Sequence, residues 1–128
     1  NDIMYLTLGG LLYFFGLLIE VIADYQKTIH NKLNNKKREF ISSGLWSKSR
    51  HPNYFGEFLI WTGITIICFP VFSGFKYLAL ITPIFIYFLL NYISGVNLLE
   101  ERAKEKWGKD PEYLKYLKTT PKFFPKIF

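Results

Sequence analysis

Residues 47–57 read SKSRHPNYFGE, a basic loop that turns into an apolar segment with a carboxylate in its first turn. Ionisable and polar groups such as Arg50, His51, Asn53 and Glu57 are costly at the edge of a hydrophobic span, and membrane proteins keep them there mainly for function. We therefore interpret this stretch as the rim of a ligand site, around which the rest of the chain is organised.

Long apolar segments on both sides of this rim predict a membrane protein. Half of the 128 residues are hydrophobic and a fifth are aromatic. About 20 residues of helix cross a hydrocarbon core of about 30 Å. We predict an all-α, polytopic membrane protein that forms a single membrane domain over residues 1–128. Its elements are three transmembrane helices at about 3–26, 53–72 and 77–107, a basic loop at 27–50, and a short cytoplasmic C-terminal helix at about 111–118.

Small and cyclic residues add detail to these helices. Gly9, Gly10 and Gly16 give the first helix a side on which another helix can approach closely. Pro83 predicts a kink in the third helix. The last helix is expected to begin after Asp110-Pro111, an N-cap followed by proline at the first helical position. The aromatic and basic tail 123–128 is expected to lie in the lipid headgroup region.

The basic residues indicate the orientation in the membrane. All Lys and Arg residues except Lys76 lie between residues 27 and 50 or after Glu101. Because Lys and Arg accumulate in cytoplasmic loops, we expect the first connection and the C-terminus to be cytoplasmic. The net charge of +6 then reflects contact with anionic lipids and does not indicate a nucleic-acid partner. The lone Cys68 offers no zinc spacing, and no metal site is expected.

This orientation places many ionisable residues at the same end of the three helices. We expect them to form a cross-linked polar network that could bind a large polar ligand. Simpler interpretations remain open, because Glu20 and Asp24 could be solvated at the interface and Glu57 could be a structural partner of Arg50 or Arg102. The network would comprise Arg50, Arg102 and His51 with the carboxylates of Glu20, Asp24, Glu57, Glu100 and Glu101.

Four blocks of the sequence, at 22–27, 44–57, 94–102 and 113–125, resemble the steroid 5-alpha-reductase-like membrane proteins, and most closely their microbial branch. An Arg-His-Pro-x-Tyr-x-Gly element and a Glu-Glu pair before an aromatic tail also occur in isoprenylcysteine carboxyl methyltransferases and phospholipid methyltransferases. The Ala-Asp-x-Gln and Ser-Gly-x-x-Leu-Leu-Glu blocks favour the reductases. One departure is Asn97, where this branch is expected to have proline.

The resemblance implies an NADPH site formed by the C-terminal helices without a Rossmann fold, and reduction of a carbon–carbon double bond in a lipid or steroid-like substrate. The reductase residues that polarise the substrate lie in N-terminal helices. We therefore expect this chain to be the C-terminal part of a longer architecture, and we assign no catalytic residue. The implied cofactor-binding residues are Asp24, Arg50, His51, Asn53, Tyr54 and Glu57 and, by looser correspondence, Glu100, Glu101, Arg102, Tyr113 and Tyr116.

Two other functions remain open from the sequence. An S-adenosylmethionine-dependent methyltransferase of a lipid or prenylated substrate could use the same rim, with Glu57 and Glu100 neutralising the cationic groups and His51 holding the carboxylate. A non-catalytic membrane module would have a structural role. The expected partners are the bilayer, a lipophilic substrate and, to complete the site, N-terminal helices or a second copy of the chain.

Overall fold

The computed structural model describes residues 2–33, 40–71, 73–93 and 95–126. All regular structure in these ranges is helical. The predicted end of the second helix at residue 72, Ser94 of the third sequence block, and the last two tail residues lie outside them. The α-helices are α1 (Asp2–Leu33), α2 (Pro52–Cys68), α3 (Ile81–Phe88), α4 (Val96–Trp107) and α5 (Pro111–Thr119), with 3₁₀ helices at Gly44–Ser47, Phe69–Val71 and Gly74–Leu80 and a π-helix at Leu89–Ile93.

Three helical segments are long and apolar enough to cross a membrane, namely Asp2–Leu33, Pro52–Val71 and Tyr77–Trp107. The predicted fold class is therefore confirmed, whereas the sidedness stays a prediction. The first helix continues to Leu33, about two turns past the approximate end at 26. No glycine or proline interrupts residues 27–33, and Gln26, Lys27 and Leu33 favour helix. The helix therefore extends past the apolar window.

Glycines bring α1 and α2 into backbone contact. Gly9 and Gly16 on α1 lie against Gly63 and Gly56 on α2, and a Cβ atom built on Gly9 would lie 2.5 Å from the Gly63 oxygen. Gly10, the neighbour of Gly9, faces open space. The predicted close approach is thus confirmed for Gly9 and Gly16, and it fixes the ends of α1 and α2 side by side at the site.

The third span changes helix type along its length. Pro83 lies in the first turn of α3, directly after the 3₁₀ helix Gly74–Leu80, and the kink at this residue stays a prediction. A second irregularity is the π-helix Leu89–Ile93, in which the buried Asn91 amide donates to the Tyr87 carbonyl oxygen at 2.9 Å. A separate helix, α4, then begins at Val96. Its N-cap residue, Gly95, lies against the Tyr54 ring.

The α5 helix begins as the sequence predicts. The Asp110 side chain caps it by accepting a hydrogen bond from the Glu112 N–H at 2.9 Å, and Pro111 occupies the first turn. After α5 the chain returns to the start of α2. The Arg50 N–H donates to the Pro121 oxygen at 2.8 Å, and the Lys126 N–H donates to the Lys48 oxygen at 3.0 Å. We call residues 121–126 the C-terminal strap.

Aromatic rings hold the strap against α2 and α3. Phe123 is only 4% exposed, and its ring centroid lies 5.8 Å from those of Phe55 and Phe58 and 5.3 Å from that of Tyr87. The Phe123 ring is therefore held by protein contacts, and the position of the tail in the headgroup region stays a prediction. Phe124, with about half of its surface exposed, packs on the same rings.

Candidate functional site

A cavity of about 270 Å³ lies where the end of α1, the segment before α2, the middle of α4 and α5 meet. Its wall combines cations with aromatic rings. Glu100 is the only carboxylate among the described residues that line it. The cationic side chains are Lys27, Arg50, Arg102 and Lys106, the aromatic ones are Phe40, Trp46, Trp107, Tyr113 and Tyr116, and His51, Asn31, Ile41, Leu99 and Ala103 complete the wall.

Trp46 connects α1 and α5 at the wall of this cavity. It lies in the 3₁₀ helix Gly44–Ser47 and is 4% exposed, and its Nε1–H donates to the Ala23 oxygen of α1 at 3.1 Å. The Tyr116 hydroxyl of α5 donates to the Trp46 oxygen at 2.6 Å. The Lys27 ammonium lies 5.1 Å from the centre of the Trp46 ring, a cation–π distance. This arrangement fixes the position of a cation at the cavity wall.

Arg50 connects the start of α2 to α4 and to the end of α5. Its Nη1 donates to Glu100 Oε1, and its Nε donates to the Thr120 oxygen at 3.1 Å. The guanidinium is therefore held by two elements that are distant in sequence. A positioned Arg at the wall of a cavity is suited to bind a phosphate or carboxylate group of a ligand.

His51 is buried beside this ion pair, with 6% of its surface exposed. Its Nε2 lies 3.3 Å from Glu100 Oε2, but the angles are not those of a hydrogen bond, and this atom has no hydrogen-bond partner in the described part of the chain. Burial lowers the pKa of His51, the charges of Arg50 and Lys27 act in the same direction, and Glu100 opposes them. His51 is therefore neutral at pH 7, and its side chain forms part of the cavity wall.

Tyr113 and Tyr116 form the α5 wall together with Phe40. The Phe40 ring centroid lies 5.0 Å from that of Tyr113 and 5.4 Å from that of Tyr116. Burial raises the pKa of both phenols, so both are neutral at physiological pH. They offer flat apolar surface and hydroxyl groups and contribute no charge.

Asp24 and Asn53 form a second polar contact next to the cavity. The Asn53 amide donates to Asp24 Oδ1 at 3.2 Å. Asp24 does not line the cavity, but it lies one helical turn before Lys27, close enough to attract the Lys27 ammonium. The hydrogen bond between Asp24 and Asn53 therefore lies at the edge of the cavity.

Glu57 and Glu20 continue this polar line along the junction of α1 and α2. Glu57 accepts a hydrogen bond from the Trp61 indole N–H at 2.9 Å, and its carboxyl group lies close to that of Glu20. Glu20 in turn interacts with the Asp24 charge. We call Glu20, Asp24, Asn53 and Glu57 the acidic strip.

The structure thus divides the residues proposed from the sequence into two adjacent groups. Neither Tyr54 nor Glu101 belongs to them: the Tyr54 ring packs on Gly95, and Glu101 is exposed on α4. The sequence predicted a single polar network. The structure instead shows two groups, the cavity wall and the acidic strip, which meet at Lys27. The cavity contains Arg50, His51, Glu100, Arg102, Tyr113 and Tyr116, and the acidic strip contains Asp24, Asn53 and Glu57.

Several lining residues were missed from the sequence. The signal for two of them was the helical period, because Asn31 follows Lys27 by four residues and Lys106 follows Arg102 by four. A first helix that runs a turn or two past 26 places Lys27 and Asn31 on one face. Phe40 and Trp46 had no local signal, since loop folding brings them to the cavity, whereas Trp107 lies on α4 four residues after Ala103.

The donor set suits an elongated anionic ligand. Four cations and a buried, unpartnered imidazole nitrogen face the cavity, while carboxylate and amide groups follow at its edge. A cavity of about 270 Å³ is near the lower limit of small-molecule sites and would hold only part of a dinucleotide. In the described residues, no group of three or more His, Cys, Asp or Glu side chains is arranged to hold a metal ion.

Comparison with known proteins gives two matches to this chain. Residues 4–120 match the family described as "Protein of unknown function (DUF1295)". A protein of Acanthamoeba polyphaga mimivirus named "Probable 7-dehydrocholesterol reductase" is 33% identical over 98 residues, which cover 73% of this chain and 20% of the viral protein. The chain therefore spans about a fifth of that relative's length. No solved structure matches the chain significantly.

Proposed function

Since the chain belongs to the DUF1295 family of steroid 5-alpha-reductase-like membrane proteins, we propose that it forms the cofactor-binding part of a membrane reductase. The cofactor is NADPH, bound at the cytoplasmic face, and the reaction is reduction of a carbon–carbon double bond in a lipid or steroid-like substrate. The observation that carries this proposal is the cationic cavity with the unpartnered His51 Nε2 in its wall.

The cavity binds the phosphate-bearing half of the cofactor. Arg50 and Lys27 supply positive charge from two different elements, and charge-assisted hydrogen bonds to phosphate are among the strongest that proteins form. The His51 nitrogen gains the partner that it lacks, and the aromatic wall offers rings against which a flat base can stack.

The acidic strip binds the other half. NADPH supplies a hydride when bound, and the protein supplies binding, orientation and electrostatics. Asn53 and Asp24 donate to and accept from the amide and ribose hydroxyl groups, and Glu57 accepts from a further hydroxyl. These roles need hydrogen bonds in both directions, which an amide beside carboxylates provides.

The substrate is expected beside the apolar faces of the spans. On α1, large side chains such as Leu6, Phe14, Phe15 and Val21 are more than half exposed in this chain. Lipid, preceding helices or a second copy would cover them. The relative's name, a probable sterol reductase, supports a substrate of this apolar class.

The methyltransferase alternative receives less support from the geometry. It would use Glu100 to neutralise a sulfonium group, but Glu100 already forms an ion pair with Arg50. With Lys27, Arg102 and Lys106 also in the wall, the cavity is unfavourable for a cation.

Binding calorimetry on the chain in lipid nanodiscs tests the proposal. NADPH should bind, and Arg50→Gln should weaken it by about 10-fold to 100-fold, because a hydrogen bond to a charged group contributes about 1.5–3 kcal/mol. Lys48→Gln, which removes a charge from the same loop but not from the cavity wall, should change the affinity less than about twofold. Thermal denaturation would check that both variants are folded. Tight binding of S-adenosylmethionine without NADPH binding would overturn the proposal.

A further inference from the structure

We propose that the C-terminal strap, residues 121–126, is part of the ligand site because it positions the Arg50 guanidinium in the cavity wall. Closure of the strap and binding of an anionic ligand are therefore coupled. Phe123 and Ser49 hold the strap closed, and they are positioning residues that act through Arg50. The inference rests on the proposed function and adds to the site two residues that do not line the cavity.

Arg50 is held at its backbone and at its side chain by two consecutive carbonyl groups. Its N–H donates to the Pro121 oxygen at 2.8 Å, and its Nε donates to the Thr120 oxygen at 3.1 Å. The third contact is the ion pair of Nη1 with Glu100. None of these contacts uses Nη2, so the N–H groups of Nη2 can serve a ligand. The chain at Thr120 and Pro121 therefore fixes both the position of residue 50 and the direction of its guanidinium.

This placement bears on affinity because an arginine side chain has many rotamers. A mobile guanidinium must be ordered when an anion binds, and the free energy of ordering is subtracted from the affinity. In this protein the hydrogen bonds at the start of the strap order the Arg50 side chain before a ligand arrives. Release of the strap would return that freedom to the side chain and weaken ligand binding.

Phe123 fastens the strap to the membrane-spanning helices and to the site. Its ring, only 4% exposed, lies 5.8 Å from the Phe55 ring of α2 and 5.3 Å from the Tyr87 ring of α3, measured between centroids. Its carbonyl oxygen accepts a hydrogen bond from the Oγ of the fully buried Ser49, the residue before Arg50, at 2.7 Å. Residues 121–126 form no helix, so contacts with other segments hold them in place.

Thermodynamic linkage makes the coupling measurable from both sides. If the closed strap raises the affinity for a ligand by some factor, the ligand must favour the closed strap by the same factor. A short peripheral segment opens more readily than the helices on which it rests, so such a shift is observable in the native protein.

Calorimetry on the chain in phosphatidylcholine nanodiscs measures the first side. Phe123→Ala should weaken NADPH binding by about threefold to tenfold, which is the size of one or two ordinary hydrogen bonds. Ser49→Ala should act in the same direction, and it provides the comparison if Phe123→Ala does not fold. Phe123→Leu keeps an apolar anchor and should retain most of the affinity. Phe15→Ala, which removes a half-exposed ring from α1, is the control and should change the affinity less than about twofold.

The decisive comparison repeats the substitution at Phe123 in the Arg50→Gln background. Because the strap acts through Arg50, the added Phe123→Ala should weaken NADPH binding by less than about twofold there. A general loss of structure would instead weaken binding by a similar factor in both backgrounds.

Hydrogen exchange measures the second side. The Arg50 and Lys126 amides donate across the contact between the strap and residues 48–50. Saturating NADPH should slow their exchange by about threefold to tenfold, the same factor as in calorimetry. In Arg50→Gln, NADPH should leave the exchange of the Lys126 amide unchanged.

The results that overturn this inference differ from those that overturn the proposed function. If the unmodified chain binds NADPH but the strap variants do not weaken binding, or weaken it equally with and without Arg50, the strap is only structural and the proposed function stands. Unchanged exchange at Lys126 on NADPH binding would lead to the same conclusion. If the unmodified chain does not bind NADPH, both proposals are wrong.

Discussion

Arg50 and Glu100 lie fifty positions apart in the chain, and their side chains form an ion pair in the wall of the cavity. Both side chains are largely buried, at 16% and 21% exposure. The pair joins the loop before α2 to α4, the helix that follows the interrupted third span. It therefore fixes the geometry of the site across two elements that are otherwise joined through long connections.

Removal of the Glu100 carboxylate should destabilise the protein. Glu100→Ala leaves the Arg50 guanidinium partly buried without its counter-ion, so we expect a loss of about 1–3 kcal/mol in the free energy of unfolding. The measurement is reversible unfolding in mixed micelles. Glu101→Ala, at the exposed neighbouring position, should stay within about 0.5 kcal/mol. Equal losses in the two variants would contradict a structural role for the ion pair.

The stability should also depend on the protonation of His51. Burial lowers the pKa of this residue below its ordinary value of 6.5, so the native state binds the proton less readily than the unfolded chain does. The stability contribution of the neutral ring is present above about pH 6.5 and is lost as the pH falls from there toward the folded pKa. The free energy of unfolding should fall more steeply in this range for the unmodified chain than for His51→Gln. Parallel curves would show that His51 does not cause the effect.

Substitution by alanine should lower the stability of the protein at Gly9 but not at the adjacent Gly10. A Cβ at Gly9 would lie 2.5 Å from the Gly63 oxygen of α2, so Gly9→Ala must separate the helices. We expect it to cost about 1–3 kcal/mol. Gly10→Ala meets nothing within 4 Å and should be neutral or stabilising by up to about 1 kcal/mol, because alanine favours helix. Thermal denaturation of the two variants checks the difference, and equal midpoints would exclude the backbone contact.

The strap should loosen when Ser49 loses its hydroxyl group. Ser49 is fully buried, and its Oγ donates to the Phe123 oxygen at 2.7 Å and accepts from the His51 N–H at 3.2 Å. Ser49→Ala leaves both partners buried, so we expect a loss of about 1–3 kcal/mol in the free energy of unfolding. We also expect faster proteolysis of the C-terminus. Ser47→Ala, which removes only the exposed hydrogen bond to the Gly44 oxygen, is the control and should have little effect.

Some features of the site needed no tertiary information. The rim at Arg50 and His51 was identified because charged groups at the edge of an apolar helix require a partner, and both residues line the cavity. The Asp110-Pro111 start of α5 follows from local capping chemistry, which depends only on adjacent residues. The family resemblance depended on ordered blocks, and the DUF1295 match over residues 4–120 confirms it.

Other features could not be predicted from the sequence, because they depend on contacts between distant segments. The π-helix Leu89–Ile93 in the third span has no local sequence signal. The packing of Phe123 depends on rings from α2 and α3, which are far from it in the sequence.

The sequence by itself determined that this is an all-helical membrane protein with three spans, because apolar length and helical period are local properties of the chain. It also predicted which residues at the helix ends form the candidate site. Only the tertiary structure decided that these residues form a cavity and a separate acidic strip, and that Trp46, Lys27 and Lys106 join the cavity wall. The physical reason is that packing sets the direction of each side chain. The packing contacts are the backbone contact between α1 and α2, the hydrogen bond from Trp46 to α1, and the hydrogen bond from the Arg50 N–H to the strap.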